Sequence, residues 1–392
     1  MHVLVTADTV GGVWTYTREL VTGLAMRGVR VTLVSFGGIP TRTQSAWLEG
    51  LSGVTYFPTG FRLEWMQDAD RDIADSMSYL RSIIDECNPD LLHLGQYCYG
   101  ALEVARPKLV VAHSDVMSWS QAVRGMQPDD SWAQWYQATV KQGLAGASLL
   151  VAPSRCMLDC IESCYGRQRR SCVVYNGRTP ALFNPFVGKL NYAASVGRLW
   201  DEGKQSQLLM QLTAPPLPIL LAGAMTPAGE MEELPDLGRK TARTGSRRER
   251  PGEDGREIPG FVEEAPRVEL RGELSEGEIR ELLSRAAVYV ATSIYEPFGL
   301  APLEAALSRC AIVANDIPSL REIWDDAALY FRSNDAASLE RALALLQGNR
   351  ELRGMYANRA YERARQRYTA VRMVEEYMQL YGALMERRVW AA

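Results

Sequence analysis

VYVATS (288–293), IYEPFGLAPLEAALSR (294–309), CAIVAN (310–315), DIPSLREIW (316–324) and ALYF (328–331) form the stretch that decides the fold. VYVATS and CAIVAN are short, apolar and rich in β-branched residues, the pattern of buried parallel strands. Between them Leu300, Leu303, Ala306 and Leu307 recur at helical spacing, which makes a strand–loop–helix–strand unit. Pro297 and Gly299 break the chain after the first strand. The helix therefore starts at that strand's carboxyl end, where open α/β sheets place their ligands. The N–H groups of its first turn, from Phe298 to Leu300, form a ready anion site. Glu296 in the loop and Glu304 on the helix stand eight positions apart, and each carboxylate can accept paired hydroxyls. An anion site between two hydroxyl readers suits a nucleotide-sugar. A solvated glutamate before an ordinary amphipathic helix would leave the same short motif.

Composition narrows the setting. A chain of 392 residues has room for two domains, each with its own core. The 47% hydrophobic and 23% charged shares are ordinary for a globular protein. A net charge of −4 gives no general reason to expect nucleic acid as a partner. No apolar run approaches the roughly 20 residues of a spanning helix. MHVLVTADTVGG (1–12) reads as a strand and turn rather than a leader, so the expected location is cytoplasmic. The seven cysteines are an odd number. Cys156, Cys160 and Cys164 share one helix face, but without a histidine nearby they make a poor zinc set. A metal or redox site is conceivable there, but these three read better as buried free thiols, and most of the seven lie in apolar segments.

Along the first half, HVLVTA (2–7), VRVTLVSF (29–36), VTYF (54–57), LLHLG (91–95), KLVVAH (108–113), SLLVA (148–152) and CVVYN (172–176) read as strands. Helical stretches at 13–27, 68–87 and 130–145 alternate with them, which predicts a doubly wound parallel sheet. Gly11 and Gly12 occupy the first strand-to-helix turn, where missing side chains let backbone N–H groups approach a ligand. The GxGxxG dinucleotide fingerprint is not found. His113 ends one strand and is followed by Ser114 and Asp115. Trp14 and Trp119 follow these two turns and are placed to face a cleft, where indole rings stack on sugars. With Asp115 they are the acceptor-side candidates. Asp68-Ala69-Asp70 opens a helix and reads as capping rather than as a metal site.

Asn176-Gly177-Arg178 and the prolines and glycines through residue 188 mark a domain boundary. AASVG (193–197) is the next strand, and a helix is expected near Lys204. Arg198 and Lys204 thus stand on either side of a strand-to-helix turn. A guanidinium fork and an ammonium point charge converging there suit a diphosphate. After LPILLAG (217–223), residues 224–266 hold 17 charged residues, five prolines and six glycines. That composition predicts a flexible insertion. Its basic core, RKTARTGSRRER (239–250), is suited to peripheral contact with an anionic membrane. VELRG (268–272) resumes the sheet, and Ser275 with Glu278 forms a capping box. Helices are expected at 335–347, 349–366 and 371–387, the last with an apolar stripe of Met373, Tyr377, Leu380 and Leu384.

EPFGLAPLEA (296–305) followed by a second strand resembles the donor-site signature of the retaining glycosyltransferases of family 4. The resemblance extends over most of the chain and implies the GT-B fold, two Rossmann-like domains facing a central cleft. Residues 1–178 would form the acceptor-side domain and 179–370 the donor domain, with the last helix (371–392) crossing back onto the first. The implied activity moves a sugar from a UDP- or GDP-linked donor to an acceptor hydroxyl with retention, without metal or cofactor; the acceptor stays open. In the family's terms Gly11 and Gly12 face the donor phosphates, and His113 lies against the sugar. Glu296 holds sugar hydroxyls, Glu304 the ribose diol, and Arg198 and Lys204 the diphosphate, with Pro297, Phe298, Gly299 and Leu300 around them. Backbone groups of Gly272, Glu273 and Leu274 read the nucleobase. Two departures stand out. Lys204 follows Gly203, where many relatives place it one residue sooner, and Asn315-Asp316-Ile317-Pro318 replaces a common Gly-Gly. An epimerase or phosphorylase of similar architecture, or a non-catalytic sugar or nucleotide binder, are the rival readings.

Overall fold

The computed structural model describes residues 1–226 and 268–389. Seven strands come from the first half of the chain: β1 (His2–Asp8), β2 (Arg30–Phe36), β3 (Val54–Pro58), β4 (Leu91–Leu94), β5 (Lys108–Val111), β6 (Leu149–Ala152) and β7 (Ser171–Val173). They pair in parallel in the order β3-β2-β1-β4-β5-β6-β7. The helices between them are α1 (Gly12–Ala25), α2 (Arg42–Ser45), α3 (Asp70–Cys87), α4 (Val116–Arg124), α5 (Ser131–Gly146) and α6 (Arg155–Tyr165). The second half supplies β8 (Leu190–Val196), β9 (Ile219–Ala222), β10 (Val268–Gly272), β11 (Ala286–Ala291), β12 (Ala311–Asn315) and β13 (Ala328–Phe331). These are also parallel, in the order β10-β9-β8-β11-β12-β13. With them run α7 (Gln207–Met210), α8 (Glu276–Arg285), α9 (Leu300–Leu307), α10 (Pro318–Trp324), α11 (Ala336–Gly348) and α12 (Arg350–Arg367), and α13 (Ala370–Val389) closes the described chain.

The central strands of both sheets are buried on both faces, which is why they read as continuous apolar runs. Along β1, Leu4 enters one core while Val3 and Val5 enter the other. Along β11 and β12, Tyr289 and Ile312 point one way and Val288, Val290 and Val313 the other. Each such side chain contributes about 1.5–3 kcal/mol by leaving water. Side-chain caps fix where several helices begin: Asp115 accepts from Ser118, Asp130 from Ala133, Ser154 from Met157, and Ser275 with Glu278 forms the expected capping box.

The chain crosses between the domains twice, side by side. Arg178 N donates to Tyr368 O and Ala370 N to Arg178 O, each at 3.0 Å. α13 then lies on α1, and Met373, Val374, Tyr377, Tyr381 and Leu384 complete the core that Val3, Leu20 and Leu24 begin. A Cβ at Gly23 would fall 2.6 Å from Val374 Cγ2, so this glycine sets how closely the two helices approach. Behind them His93 is held between the hydroxyls of Tyr16 (3.0 Å) and Tyr381 (2.7 Å). Burial pushes its pKa down to about 3 and keeps it neutral.

Several local expectations change. Near Lys204 there is only a 3-10 turn (Glu202–Lys204) before the short α7. Asp68 makes no cap; Ala69 holds that position with no side-chain bond, and Asp70 and Asp72 sit in the first turn instead. Of the seven free thiols only Cys98 and Cys310 are buried, the others being half-buried. The expected insertion at 224–266, with its basic core at 239–250, lies outside the described residues apart from 224–226. No helix among the described residues is long and apolar enough to cross a membrane.

Candidate active site

Strand order reverses beside β1 in the first sheet and beside β8 in the second. Ligands of open α/β sheets bind at such switch points, outside the carboxyl ends of the strands. Two segments of the second domain meet there: the turn after β8 (Gly197–Lys204) and the loop after β11 (Thr292–Gly299). Gly223, just past β9, lets the turn settle. A Cβ on it would lie 1.6 Å from Gly197 O, and its φ of 146° is itself unfavourable to side chains.

Asp201 organises the turn. Its Oδ2 pairs with Arg198 Nη2 at 2.7 Å, and its Oδ1 accepts from Gly203 N at 2.9 Å. Gly203 O in turn accepts from Ile294 N (2.9 Å) and Tyr295 N (3.4 Å), which ties the turn to the loop. Across this junction Lys204 Nζ meets Glu296 Oε2 at 2.6 Å, and Ser293 Oγ donates to the same oxygen at 3.0 Å. Lys204, Ser293, Glu296 and Gly299 line a small cavity of about 40 Å³. Gly299, at φ 90°, caps α9 without a side chain. Leu303 N closes the first turn on Gly299 O, and Pro302 has no N–H. The N–H groups at the open end are therefore those of Leu300 and Ala301. Pro297 O accepts from Ser154 Oγ of the first domain at 2.6 Å, and Phe298 is buried against Tyr368.

The first domain presents its glycine pair to this site. A Cβ on Gly11 would lie 3.8 Å from Arg198 Nη1, and one on Gly12 3.4 Å from Leu300 Cδ1. His113 follows β5 at the same end of the sheet, its ring 4.5 Å from that of Tyr16. Burial pushes its pKa down to about 4, so at neutral pH it offers a neutral hydrogen-bonding ring and not a cation.

Glu304 lies deeper than its sequence position suggests. Its Oε1 is 2.9 Å from Arg178 Nε, and Arg178 Nη1 also pairs with Glu19 of α1. Burial raises the Glu304 pKa, and the Arg178 guanidinium opposes the rise. Gly272 ends β10, the sheet edge two strands from the crevice, with Glu273 exposed and Leu274 half-buried after it. Gly272 O accepts from Gly223 N at 2.8 Å. Trp14 is not at the cleft: it packs on Trp47 and Tyr56, and its Nε1 donates to Gln44 O. Asp115 is buried, capping α4 and accepting from the hydroxyls of Tyr136 and Tyr165. Trp119 does reach the site, donating from Nε1 to Asp201 Oδ1 at 3.2 Å. Asp316 forms a two-pronged pair with Arg321.

The sequence reading missed Asp8, Arg178, Asp201, Gly223 and Tyr295. Asp8 ends β1 just before the glycine pair, accepting from Val10 N (2.6 Å) and Trp65 Nε1 (3.3 Å). Burial pushes its pKa up to about 7. A carboxylate at the end of an otherwise apolar strand was the available signal. Among the described residues no group of three or more His, Cys, Asp and Glu side chains is gathered as for a metal ion.

Two doubly wound parallel sheets facing each other, with cations, carboxylates and a helix start gathered at the strand ends, define the GT-B class of α/β protein. The chain superposes on sucrose-phosphate synthase from Thermosynechococcus elongatus with a TM-score of 0.72 at 17% identity, covering 98% of this chain and 100% of that one. Anabaena Alr3699/HepE in complex with UDP and glucose gives 0.72 at 16% identity, again over 98% and 100%. Alpha-maltose-1-phosphate synthase of Mycobacterium tuberculosis is 28% identical over 120 residues. That match spans 29% of this chain and 31% of the relative's length. The family described as Glycosyltransferase Family 4 matches residues 10–181, and Glycosyl transferases group 1 matches 263–363. Together they span well over half of the sequence, and the chain belongs to the family 4 glycosyltransferases.

Proposed function

We propose that this protein transfers a sugar from a UDP- or GDP-linked donor to an acceptor hydroxyl with retention of configuration and without a metal. The observation that carries the reading is the meeting of Lys204 and Glu296 at 2.6 Å beside Arg198 and the start of α9. A departing diphosphate is stabilised by fixed positive groups and backbone donors already aimed at it. Arg198, Lys204 and the N–H groups of Leu300 and Ala301 are those groups here. Glu296 takes sugar hydroxyls, Glu304 the ribose diol through the carboxylate oxygen that Arg178 leaves, and His113 the sugar from the other domain. Alr3699/HepE, similar in fold, has been crystallised with UDP and with UDP-glucose, which favours a uridine donor as the first to try.

The expected location is cytoplasmic, with residues 239–250 as the segment for peripheral membrane contact. The test is a screen of purified protein against UDP- and GDP-sugars, scoring slow donor hydrolysis and thermal stabilisation. One donor should be hydrolysed slowly and stabilise the fold, and its turnover should survive exhaustive chelation. A changed sugar released without acceptor would replace the proposal with an epimerase, and dependence on inorganic phosphate with a phosphorylase. Binding without turnover across acceptors would make it a binding protein.

A further inference from the structure

Tyr295 stands one residue before Glu296, and its side chain leaves its own domain. The ring packs against the core of the first domain. Its hydroxyl reaches the start of α4, 3.2 Å from Asp115 N, 2.9 Å from Ser118 Oγ and 3.4 Å from Ser114 Oγ, with Met157 Sδ also at 3.4 Å. Asp115 N can only donate, so the Tyr295 hydroxyl accepts from it, as it does from Ser114 Oγ. Its own single proton has two acceptors within reach, Ser118 Oγ, which itself donates to Asp115 O at 3.1 Å, and Met157 Sδ. Burial and the nearby Asp115 raise its pKa, so it stays a neutral phenol.

The same helix holds the other donor segment. Trp119 Nε1 donates to Asp201, which fixes Arg198, and Arg124 Nη2 pairs with Glu202 at 3.0 Å. α4 begins three residues after His113. It thus brackets the cation turn with one end and the Glu296 loop with the other. The exposed Arg124–Glu202 pair is weak. The contacts through Tyr295 and through Trp119 are half-buried, and of these the Tyr295 contact holds the Glu296 loop.

We infer that Tyr295 is a positioning residue that sets Glu296 of the donor loop against His113 of the opposite domain by anchoring that loop to the start of α4. It touches neither donor nor acceptor. Its effect on the reaction is to hold two groups from different domains in one geometry, and a misplacement of about 1 Å costs up to about 10²-fold in rate. The inference rests on the proposed glycosyl transfer, and its test is arranged so that either can fail alone.

Tyr295→Phe removes only the hydroxyl. With the sugar nucleotide that wild type turns over fastest, kcat should fall at least about 10-fold while the donor KM stays within about 3-fold, the pattern of a group that matters chiefly in the transition state. Ser118→Ala removes only one of the hydroxyl's partners and should lower kcat by less, and the loss in the double variant should be smaller than the sum of the two single losses, because Tyr295→Phe already removes the contact they share. Wild-type kcat in Tyr295→Phe, or additive losses in the double variant, would overturn the inference while leaving the transfer reaction standing. Should wild type turn over no donor, small-angle scattering decides the point. Tyr295→Ala, confirmed as folded by circular dichroism, should show a larger radius of gyration than wild type, and an unchanged one would overturn the anchor.

Discussion

Arg178→Met puts a number on the buried charges where the chain crosses between the domains. The Arg178 side chain is 4% exposed and lies between Glu19, 6% exposed, and Glu304, 15% exposed. At 2.9 Å and an effective dielectric of about 20, the pairing with Glu304 is worth about 6 kcal/mol before desolvation is set against it. Removing one partner leaves the carboxylates buried without their cation, and such losses measure about 3–5 kcal/mol. For a cooperative unit of 150–250 residues that corresponds to a melting shift of roughly 6–20 °C. Differential scanning calorimetry at pH 7 reads it directly. The deficit should also depend on pH. Burial raises the Glu304 pKa and Arg178 opposes this, so without Arg178 the folded protein prefers protonated Glu304 more strongly. Acid supplies that proton, and the deficit of the variant should shrink as pH falls toward 5. Adding Glu19→Gln and Glu304→Gln should recover much of the loss, since no uncompensated charge then remains. A deficit below about 1 kcal/mol, no larger than that of an exposed ion pair, would refute the argument.

Arg198→Ala combined with Lys204→Ala should abolish most turnover, because truncating a charged partner costs about 2–5 kcal/mol of binding, and should also lower the melting temperature, because Asp201 and Glu296 are only 8% and 11% exposed and lose their cations; near-normal activity would remove the diphosphate site. Glu296→Ala should lose kcat by about 10²-fold or more, the scale of deleting one stabilising group, whereas Glu304→Gln should mainly raise the donor KM; steady-state kinetics at varied donor separate the two, and the reverse pattern would mean the sugar and ribose ends are exchanged. Asp8→Asn should gain stability over wild type as pH rises. The folded Asp8 pKa is raised to about 7, so its favourable contribution is complete below about pH 4 and lost as pH climbs through 7, on the order of 4 kcal/mol in all. Melting curves of both proteins from pH 4 to 8 test this, and parallel curves would show that Asp8 is not burdened by its charge.

Elements bounded by breakers were legible from the sequence. VELRG and ALYF coincide with β10 and β13 residue for residue. β11 begins earlier than expected, at Ala286, because small alanines carry no strand signal of their own. The apolar stripe of α13 could be read because its period is local; that it lands on α1 depends on Gly23, whose missing side chain has meaning only once Val374 lies opposite. His113, Arg198, Lys204 and Glu296 could be placed at the carboxyl end of the sheets from sequence because each lies in a segment that follows a strand, a position visible along the chain. Trp14 also follows such an end, yet its helix turns it inward to Trp47 and Tyr56, partners 33 and 42 residues away. Arg178 read only as part of the domain boundary, and Tyr295 was given no role, for the same reason. Their partners lie in the other domain, and no local pattern announces a contact across more than a hundred residues.

The packing of α13 on α1 also orders events in time. One core of the first domain joins Val3, Leu20 and Leu24 to Tyr377, Tyr381 and Leu384. The ribosome makes the second group about 350 residues after the first, a delay of roughly 20–70 s at 5–20 residues per second. Throughout that interval the apolar face of α1 has no covering helix, while the entire second domain is synthesised and free to fold. The domain made first is thus the last to be completed. A nascent chain arrested before residue 370 would carry a finished second domain beside an unfinished first, its open seam a surface for chaperones until α13 arrives.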